Sequence, residues 1–255
     1  MKNKPTFLQQ NKPLITCMVL SPTPDEIIRL VRTAAFDGAD AYGFTLELLE
    51  EQYRNETDVK RIFDTMAPRP IYATNYRAAY NKGKSDEEIA TGFLWLCDMG
   101  ATMIDVMGDL YCATQHEITK NPKAIEKQKS LIDQIHAKGC EVLMSSHTFT
   151  FMSTEEVLEI AREHQSRGAD ISKIVTAANS EEEELENLKT ATVLRRELDI
   201  PFLFLSAGTH NHLHRAFGPM FGSCMWLAVS QYDQYAAQSQ PLLRAVRAIR
   251  DNFDC

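Results

Sequence analysis

Two basic residues, Lys173 and His147, lie where the sequence is otherwise apolar. Lys173 is embedded in the stretch ADISKIV, and His147 directly follows the run VLMSS. Burial of an ammonium group favours the neutral amine, which can attack a carbonyl carbon and form an imine. The imine acidifies the adjacent carbon, and an imidazole is a suitable base for that proton. The pair predicts carbonyl chemistry. The alternatives are a lysine that pairs with a carboxylate or reaches solvent, and a hydrogen-bonded core histidine.

Three further histidines, His210, His212 and His214, stand at alternate positions in GTHNHLHRAFG. Zinc or iron sites use three such nitrogens, or two nitrogens and a carboxylate. Alternate residues of one strand are about 7 Å apart, however, so three in a row rarely bind one ion. We therefore expect no metal here and a role in the pocket for at least one histidine, with His214 as the candidate. The alternatives are a metal-dependent enzyme and a solvated loop in which one histidine caps the next helix.

The elements that must position these residues are read from eight short apolar runs. They cover 14–20, 39–44, 69–74, 102–107, 140–146, 170–175, 201–206 and 223–229. These runs are continuously apolar, which is typical of parallel strands covered on both faces. Amphipathic segments with helix start signals lie between them, at 21–38, 153–168 and 180–198. Eight parallel strands with helical crossovers predict a (β/α)₈ TIM barrel.

The alternative fold is a doubly wound open sheet, which carries a glycine-rich phosphate turn after its first strand. Neither GxGxxG nor GxxxxGK[ST] occurs in the sequence. The length of 255 residues suits one barrel domain over 1–255, since such barrels have about 250 residues. Barrel enzymes place their chemistry where strands end and βα loops begin. His147, Lys173 and the histidine segment all fall at such places.

The composition limits the classes of partner. The formal net charge of −8, from 27 basic and 35 acidic residues, argues against nucleic acid. One local arginine can still bind a small anion. The six cysteines are scattered without a CxxC pair, which indicates reduced thiols. The sequence has no signal-peptide pattern and no apolar run of membrane-spanning length, so we predict a cytoplasmic protein with no membrane partner.

With these residues in view, the chain resembles type I 3-dehydroquinate dehydratase, the Schiff-base-forming enzyme of the shikimate pathway, over nearly its whole length. VLMSSHTF is similar to the strand with the catalytic histidine, at His147, and RGADISKIVTAAN to the block with the Schiff-base lysine, at Lys173. HRAFGPMFGS places Arg215 on the arginine that holds the substrate carboxylate. Gln240, in AAQSQPLLRAV, matches the glutamine of a late lid-like loop.

The resemblance implies a hydro-lyase that dehydrates 3-dehydroquinate or a related carboxylated cyclic β-hydroxy ketone. Lys173 would form an imine with the ketone. His147 would remove the adjacent proton and then deliver a proton to the departing hydroxyl, after which hydrolysis releases the product. The resemblance also implies a small anionic keto-acid substrate, a homodimer and no cofactor.

Two family motifs are altered in this sequence. The second-strand motif ExRxD, whose Glu and Arg reach the substrate hydroxyls, is replaced by GFTLE, so Gly43 and Thr45 stand at those positions and only Glu47 keeps the acidic character. The third-strand motif RxxxEGG keeps its arginine as Arg77, but Asn81 replaces the Glu that lies close to the catalytic histidine.

From these matches we predict that Arg215, Arg77, Gln240, Asn81, Thr45 and His214 bind the substrate. We also predict that the histidine segment partly refills the space left at Gly43 and Thr45. An unpaired polar group of a substrate can cost several kcal/mol, so the altered motifs leave the substrate open. The alternatives are a Lys-dependent lyase or aldolase for another keto acid, and a catalytically silent metabolite-binding protein.

Overall fold

A computed structural model describes residues 5–8, 12–236 and 238–253, which form a barrel of parallel strands surrounded by helices. The strands are β1 (Leu14–Met18), β2 (Ala41–Thr45), β3 (Ile71–Thr74), β4 (Met103–Met107), β5 (Glu141–His147), β6 (Ile171–Ala177), β7 (Phe202–Ala207) and β8 (Met225–Ala228). The helices are α1 (Pro24–Asp37), α2 (Glu56–Met66), α3 (Asp86–Met99), α4 (Pro122–Ala137), α5 (Thr154–Ser166), α6 (Glu181–Glu197), α7 (His212–Phe217) and α8 (Leu243–Asn252).

The eight strands pair in the order β7-β6-β5-β4-β3-β2-β1-β8. The two outer strands approach each other as well, because the Cys224 N–H donates to the Phe202 carbonyl at 2.9 Å. Each strand overlaps one of the eight apolar runs. The predicted (β/α)₈ TIM barrel is therefore confirmed, with the sheet nearly closed.

The helix starts carry the capping chemistry that their sequences indicate. Ser153 accepts a hydrogen bond from the Glu156 N–H at the start of α5, and the Glu156 side chain completes a capping box. Ser180 caps α6, whose first turn is acidic and whose last turn holds Arg195 and Arg196, in agreement with the helix dipole. These caps fix the points at which the βα loops end.

The apolar core has two layers. One layer lies between the strands and the helices, and a second fills the barrel lumen. The lumen cluster contains Phe7, Met103, Leu143, Ile171, Leu203 and Met225. Phe7 is fully buried there, and its N–H donates to Glu141 at the start of β5, at 3.0 Å. The segment before β1 thus covers the N-terminal end of the barrel, opposite the end where the loops carry polar residues.

The cysteines in the described part of the chain are Cys17, Cys97, Cys112, Cys140 and Cys224, and all five are free thiols. The sixth, Cys255, lies outside the described residues. In the same part of the chain, no helix has the length and apolar character needed to cross a membrane.

Candidate active site

Lys173 lies inside the lumen, where its amine is hydrogen-bonded to side chains from β3, from the loop after β3 and from β4. It is 5% exposed, and its Nζ donates to the hydroxyl oxygens of Tyr72 and Tyr76, both at 2.8 Å, and to Asp105 Oδ2 at 3.0 Å. Both tyrosine hydroxyls also donate to Asp105 Oδ2. The carboxylate partner that the sequence analysis left as an alternative is therefore present, and the three ammonium protons each have an acceptor.

Asp105 is fully buried beneath this cluster. Burial alone would raise the pKa of its carboxyl, but the charge of Lys173 and then that of His147, with a hydrogen bond from Tyr72, hold the pKa below its ordinary value. Asp105 is thus an anion, and it stabilises Lys173 as an ammonium. Its second oxygen, Oδ1, has no hydrogen-bond partner within the described residues.

His147 ends β5 and is held by Glu117, from the loop between β4 and α4. Its Nδ1 lies 2.6 Å from Glu117 Oε2, and its backbone N–H donates to the same oxygen at 3.0 Å. A proton on Nδ1 that faces the carboxylate leaves Nε2 as the nitrogen for a bound molecule. The imidazole also meets the ring of Tyr76 edge-on, with 5.4 Å between the centroids, and stacks on Phe149.

A set of buried donors holds the loop that carries Glu117. The Ser146 hydroxyl donates to the Glu117 carbonyl at 2.7 Å. Arg167, which is 2% exposed, donates to the carbonyls of Gly108 and Thr119, at 2.7 and 2.6 Å. These two carbonyls stand at the two ends of the loop, so one guanidinium joins both ends. Glu117 itself has a φ of 47°, a conformation that L-residues seldom adopt without such support.

A cavity of ≈ 460 Å³ opens at the C-terminal end of the barrel beside His147. Its lining includes Tyr76, Arg77, Asp109, Glu117, His147 and Phe149. Tyr76 thus contacts both this cavity and the Lys173 amine beneath it. Tyr76 therefore connects the Lys173 amine to the cavity that His147 lines.

Arg215 is buried behind the end of β7, in α7. Its Nε donates to the Ser206 carbonyl at 2.6 Å, and no carboxylate of the described residues forms an ion pair with it. Burial lowers the pKa of its guanidinium to about 10, which leaves it charged at neutral pH. A buried cation without an anionic partner is costly, and an anionic ligand would offset that cost.

Gln240 and Thr45 each present a polar atom without a partner in the described part of the chain. Gln240 lies in the loop between β8 and α8, shortly before α8 begins, and its Oε1 is buried and unpartnered. Thr45, at the end of β2, has a buried hydroxyl that also lacks a hydrogen-bond partner in the described part of the chain. Buried polar atoms of this kind are rare in folded proteins, and both atoms keep hydrogen-bonding capacity that the described residues do not use.

Asn81 and Arg77 have their hydrogen-bonding groups occupied by the protein. The amide of Asn81 donates to Asn75 Oδ1 and to the Tyr76 carbonyl, and its oxygen accepts from Arg54. Asn81 is 1% exposed and its amide is bonded within the protein, so its contact with substrate stays a prediction. Arg77 lines the cavity, but its guanidinium forms ion pairs with Asp86 and Asp109, each at 2.7 Å.

The pocket role of His214 also stays a prediction, and His214 does not line the cavity beside His147. His214 is 1% exposed and packs edge-on against Phe204, on the side of β7 that faces the helices. His210 and His212 are exposed, so the three imidazoles do not converge. Within the described residues no group of three His, Cys, Asp or Glu side chains could hold a metal ion.

The space beside Gly43 is filled by Met18, so the hypothesis that the histidines refill it is wrong. A Cβ added at Gly43 would lie 2.1 Å from Met18 Sδ and 3.3 Å from the ring of Tyr72. These side chains reach the lumen from β1 and β3, the two strands that pair with β2. The site of the altered motif is thus apolar and closed.

Glu47 keeps the acidic character of that motif, but its carboxylate is hydrogen-bonded within the protein. Both of its carboxylate oxygens lie within 3.0 Å of the Thr74 hydroxyl, and the residue is 4% exposed. Burial raises the pKa of Glu47 to about 7. It joins the end of β2 to the end of β3, beneath the backbone that leads into Tyr76.

The comparisons with known proteins agree with this barrel. A model of the type I 3-dehydroquinase family matches residues 15–252. The chain belongs to the type I 3-dehydroquinase family. The resemblance inferred from the motifs around His147, Lys173 and Arg215 is therefore confirmed.

Individual relatives in this family are distant. The chain is 30% identical to the 3-dehydroquinate dehydratase of Klebsiella pneumoniae over 125 residues, which are 48% of this chain and 49% of that protein. In that alignment the chain spans about half the length of its relative. It is 23% identical over 223 residues to the 3-dehydroquinate dehydratase of Aromatoleum aromaticum, covering 86% of this chain and 76% of that one.

The similarity to solved structures concerns the fold. The structure of 3-dehydroquinate dehydratase from Geobacillus kaustophilus superimposes with a TM-score of 0.81 at 18% identity, covering 96% of this chain and 92% of that one. The type I 3-dehydroquinase barrel is thus retained at low sequence identity.

Four residues of the site were missed by the sequence analysis: Tyr72, Tyr76, Asp105 and Glu117. Asp105 stands in the apolar strand MIDVM, just as Lys173 stands in ISKIV, so the signal that found the lysine also applies to the aspartate. Glu117 lies in an irregular loop, where the spacing of residues does not indicate which way a side chain points.

Proposed function

We propose that this protein is a Schiff-base-forming lyase that eliminates water from 3-dehydroquinate or a closely related carboxylated cyclic hydroxy ketone. The observation that carries the proposal is the position of Tyr76, which lines the cavity beside His147 and contacts the buried Lys173 amine. Tyr76 contacts the lysine amine at 2.8 Å and the imidazole ring edge-on. Membership of the type I 3-dehydroquinase family supports the same reaction.

In the proposed mechanism, Lys173 Nζ forms an imine with the ketone of the substrate. The iminium is an electron sink, so the neighbouring C–H becomes acidic and His147 Nε2 takes its proton. The electrons left on carbon expel the β-hydroxyl, which His147 protonates as it leaves. Water then hydrolyses the imine and restores the lysine.

The remaining groups support these two residues. Glu117 accepts the Nδ1 proton of His147 and stabilises the imidazolium that forms when Nε2 takes a proton. Arg215, a buried cation without a carboxylate partner among the described residues, would bind the substrate carboxylate. The Gln240 Oε1 would accept a hydrogen bond from a substrate hydroxyl, and the Thr45 hydroxyl would donate one or accept one.

A second candidate function is a Lys-dependent lyase or aldolase that acts on a different keto acid. It is favoured by the closed, apolar space at Gly43, where Met18 and Tyr72 stand instead of groups that read substrate hydroxyls. A substrate with fewer hydroxyl groups would leave fewer of them without a hydrogen-bond partner in this apolar space, and would therefore lose less binding free energy. The lysine chemistry is the same in both cases.

The test is intact-protein mass spectrometry after incubation with 3-dehydroquinate and sodium borohydride, which reduces an imine to a stable amine. We expect one adduct per chain, which peptide mapping assigns to Lys173, and no adduct in Lys173→Ala. An adduct with another keto acid but not with 3-dehydroquinate would select the second candidate. No adduct with any ketone would contradict both and favour a metabolite-binding protein.

A further inference from the structure

The cluster around Lys173 contains more acid–base chemistry than the proposed reaction uses. Tyr72, Tyr76 and Asp105 are three titratable side chains hydrogen-bonded to one amine, and the proposed mechanism gives none of them a role. We propose that Tyr76, backed by Asp105, is a catalytic residue that carries protons between Lys173 Nζ and the carbonyl oxygen of the substrate during imine formation. This inference rests on the proposed function.

The geometry around Tyr76 provides each link of such a relay. Its hydroxyl oxygen accepts from Lys173 Nζ at 2.8 Å, and its proton is donated to Asp105 Oδ2. Its side chain lines the cavity beside His147, so a carbonyl that approaches the amine from the cavity meets this hydroxyl. Asp105 keeps Oδ1 unpartnered within the described residues and can hold a proton while the nitrogen reacts.

The proton balance of imine formation requires such a group. The ammonium of Lys173 starts with three protons on nitrogen and ends as an iminium with one. Two protons therefore leave the nitrogen, and both are found in the water that departs with the former carbonyl oxygen. A shuttle that contacts nitrogen and oxygen together moves them without an external acid or base.

The relay acts twice. In the first step a proton passes from Nζ through Tyr76 to Asp105, the neutral amine forms the C–N bond, and the proton returns through Tyr76 to the new alkoxide. In the second step the carbinolamine nitrogen gives up another proton by the same route. Its lone pair then forms the C=N bond, the C–O bond breaks, and the leaving hydroxyl takes that proton and departs as water.

The protonation state of the Tyr76 hydroxyl suits its role as a proton carrier. Burial, followed by the negative charge of Asp105, raises the pKa of Tyr76 well above its ordinary value. The hydroxyl is therefore protonated at neutral pH and can donate as well as accept.

Tyr72 offers a matched control within the same cluster. Its hydroxyl makes the same two hydrogen bonds, to Lys173 Nζ at 2.8 Å and to Asp105 Oδ2. Tyr72 is 1% exposed and is not a lining residue of the cavity, whereas Tyr76 is partly exposed and lines it. Removal of either hydroxyl changes the polarity around the lysine in a similar way, but only Tyr76 can reach the substrate oxygen.

The experiment measures the rate of imine formation alone. Protein is mixed with saturating 3-dehydroquinate, borohydride is added after set intervals, and the adduct is counted by mass. We expect Tyr76→Phe to form the adduct about 100-fold more slowly than the wild type, the lower end of general acid–base effects. We expect Tyr72→Phe to slow adduct formation at least about tenfold less than Tyr76→Phe does, because it changes the surroundings of the lysine but keeps the relay.

Equal rates for Tyr76→Phe and the wild type would overturn the relay and leave the proposed function intact. Equal slowing in both variants would also overturn the relay. The slower imine formation would then come from the changed polarity around Lys173 and not from the loss of a proton carrier. Absence of an adduct in the wild type would contradict the proposed function itself, and the relay with it. Both substitutions keep the aromatic ring, and thermal unfolding of each variant shows whether the fold is retained.

Discussion

At the scale of single residues, Glu117 changes how the altered family motif is interpreted. Asn81 stands where the family has a glutamate near the catalytic histidine, and in this structure Asn81 binds other groups instead. Glu117 comes from the loop after β4 and meets His147 Nδ1 at 2.6 Å. A carboxylate at this nitrogen selects the tautomer and stabilises the imidazolium. The loss of one motif residue therefore does not leave the histidine without a partner.

We expect Glu117→Gln to lower kcat by about 10- to 1,000-fold with little change in KM, because the charge that stabilises the imidazolium is removed. Steady-state kinetics with the substrate identified by borohydride trapping measures the effect. Glu126→Gln, an exposed position on the following helix α4, is the matched control and should behave like the wild type. Unchanged kcat in Glu117→Gln would contradict the role of this carboxylate.

At the scale of elements, strands were predictable and loops were not. Continuous apolar runs located all eight strands, and a charged residue inside such a run marks a side chain that faces the lumen, as Lys173 does. Asp105 could have been found in the same way. The direction of Glu117 depends on a positive φ and on donors such as Ser146 and Arg167, which come from elsewhere in the chain. Contacts of this kind follow from the tertiary structure and have no local pattern.

The loop that carries Glu117 depends on Arg167, which binds the carbonyls at both of its ends. Lysine has one point charge and cannot reproduce this pair of contacts. We expect Arg167→Lys to lower the free energy of unfolding by about 2–4 kcal/mol, because buried acceptors lose their donor, and to lower kcat as well. Urea unfolding and kinetics measure the two effects. Arg162→Lys, on the exposed face of α5, should change neither. A stable Arg167→Lys variant would show that the loop does not need this support.

At the scale of the whole molecule, two buried histidines set how the barrel responds to acid. Burial, followed by a nearby arginine, lowers the pKa of His164 and of His214 to about 3, from an ordinary value of 6.5. Below pH 6.5 the unfolded chain binds protons that the folded chain does not. Their contribution to stability is therefore complete above pH 6.5 and is lost as the pH falls toward 3.

His214→Leu tests this dependence, because neither ring nitrogen of His214 has a hydrogen-bond partner among the described residues. Relative to the wild type, we expect the variant to gain roughly 2–3 kcal/mol in the free energy of unfolding between pH 7.5 and pH 4.5. Urea unfolding at the two pH values measures this gain. His212→Leu, an exposed position in the same helix, should show no such pH dependence. If the free energies of unfolding of the variant and the wild type differ by the same amount at both pH values, His214 is not buried as a neutral imidazole.

The contact between Met18 and Gly43 decides what position 43 can carry. A Cβ at position 43 would lie 2.1 Å from Met18 Sδ and 2.7 Å from Met18 Cε. A larger residue there therefore requires the end of the Met18 side chain to move aside or residue 18 to become smaller. Because β1 pairs with β2, a side chain on β1 sets the space that is open to a side chain on β2.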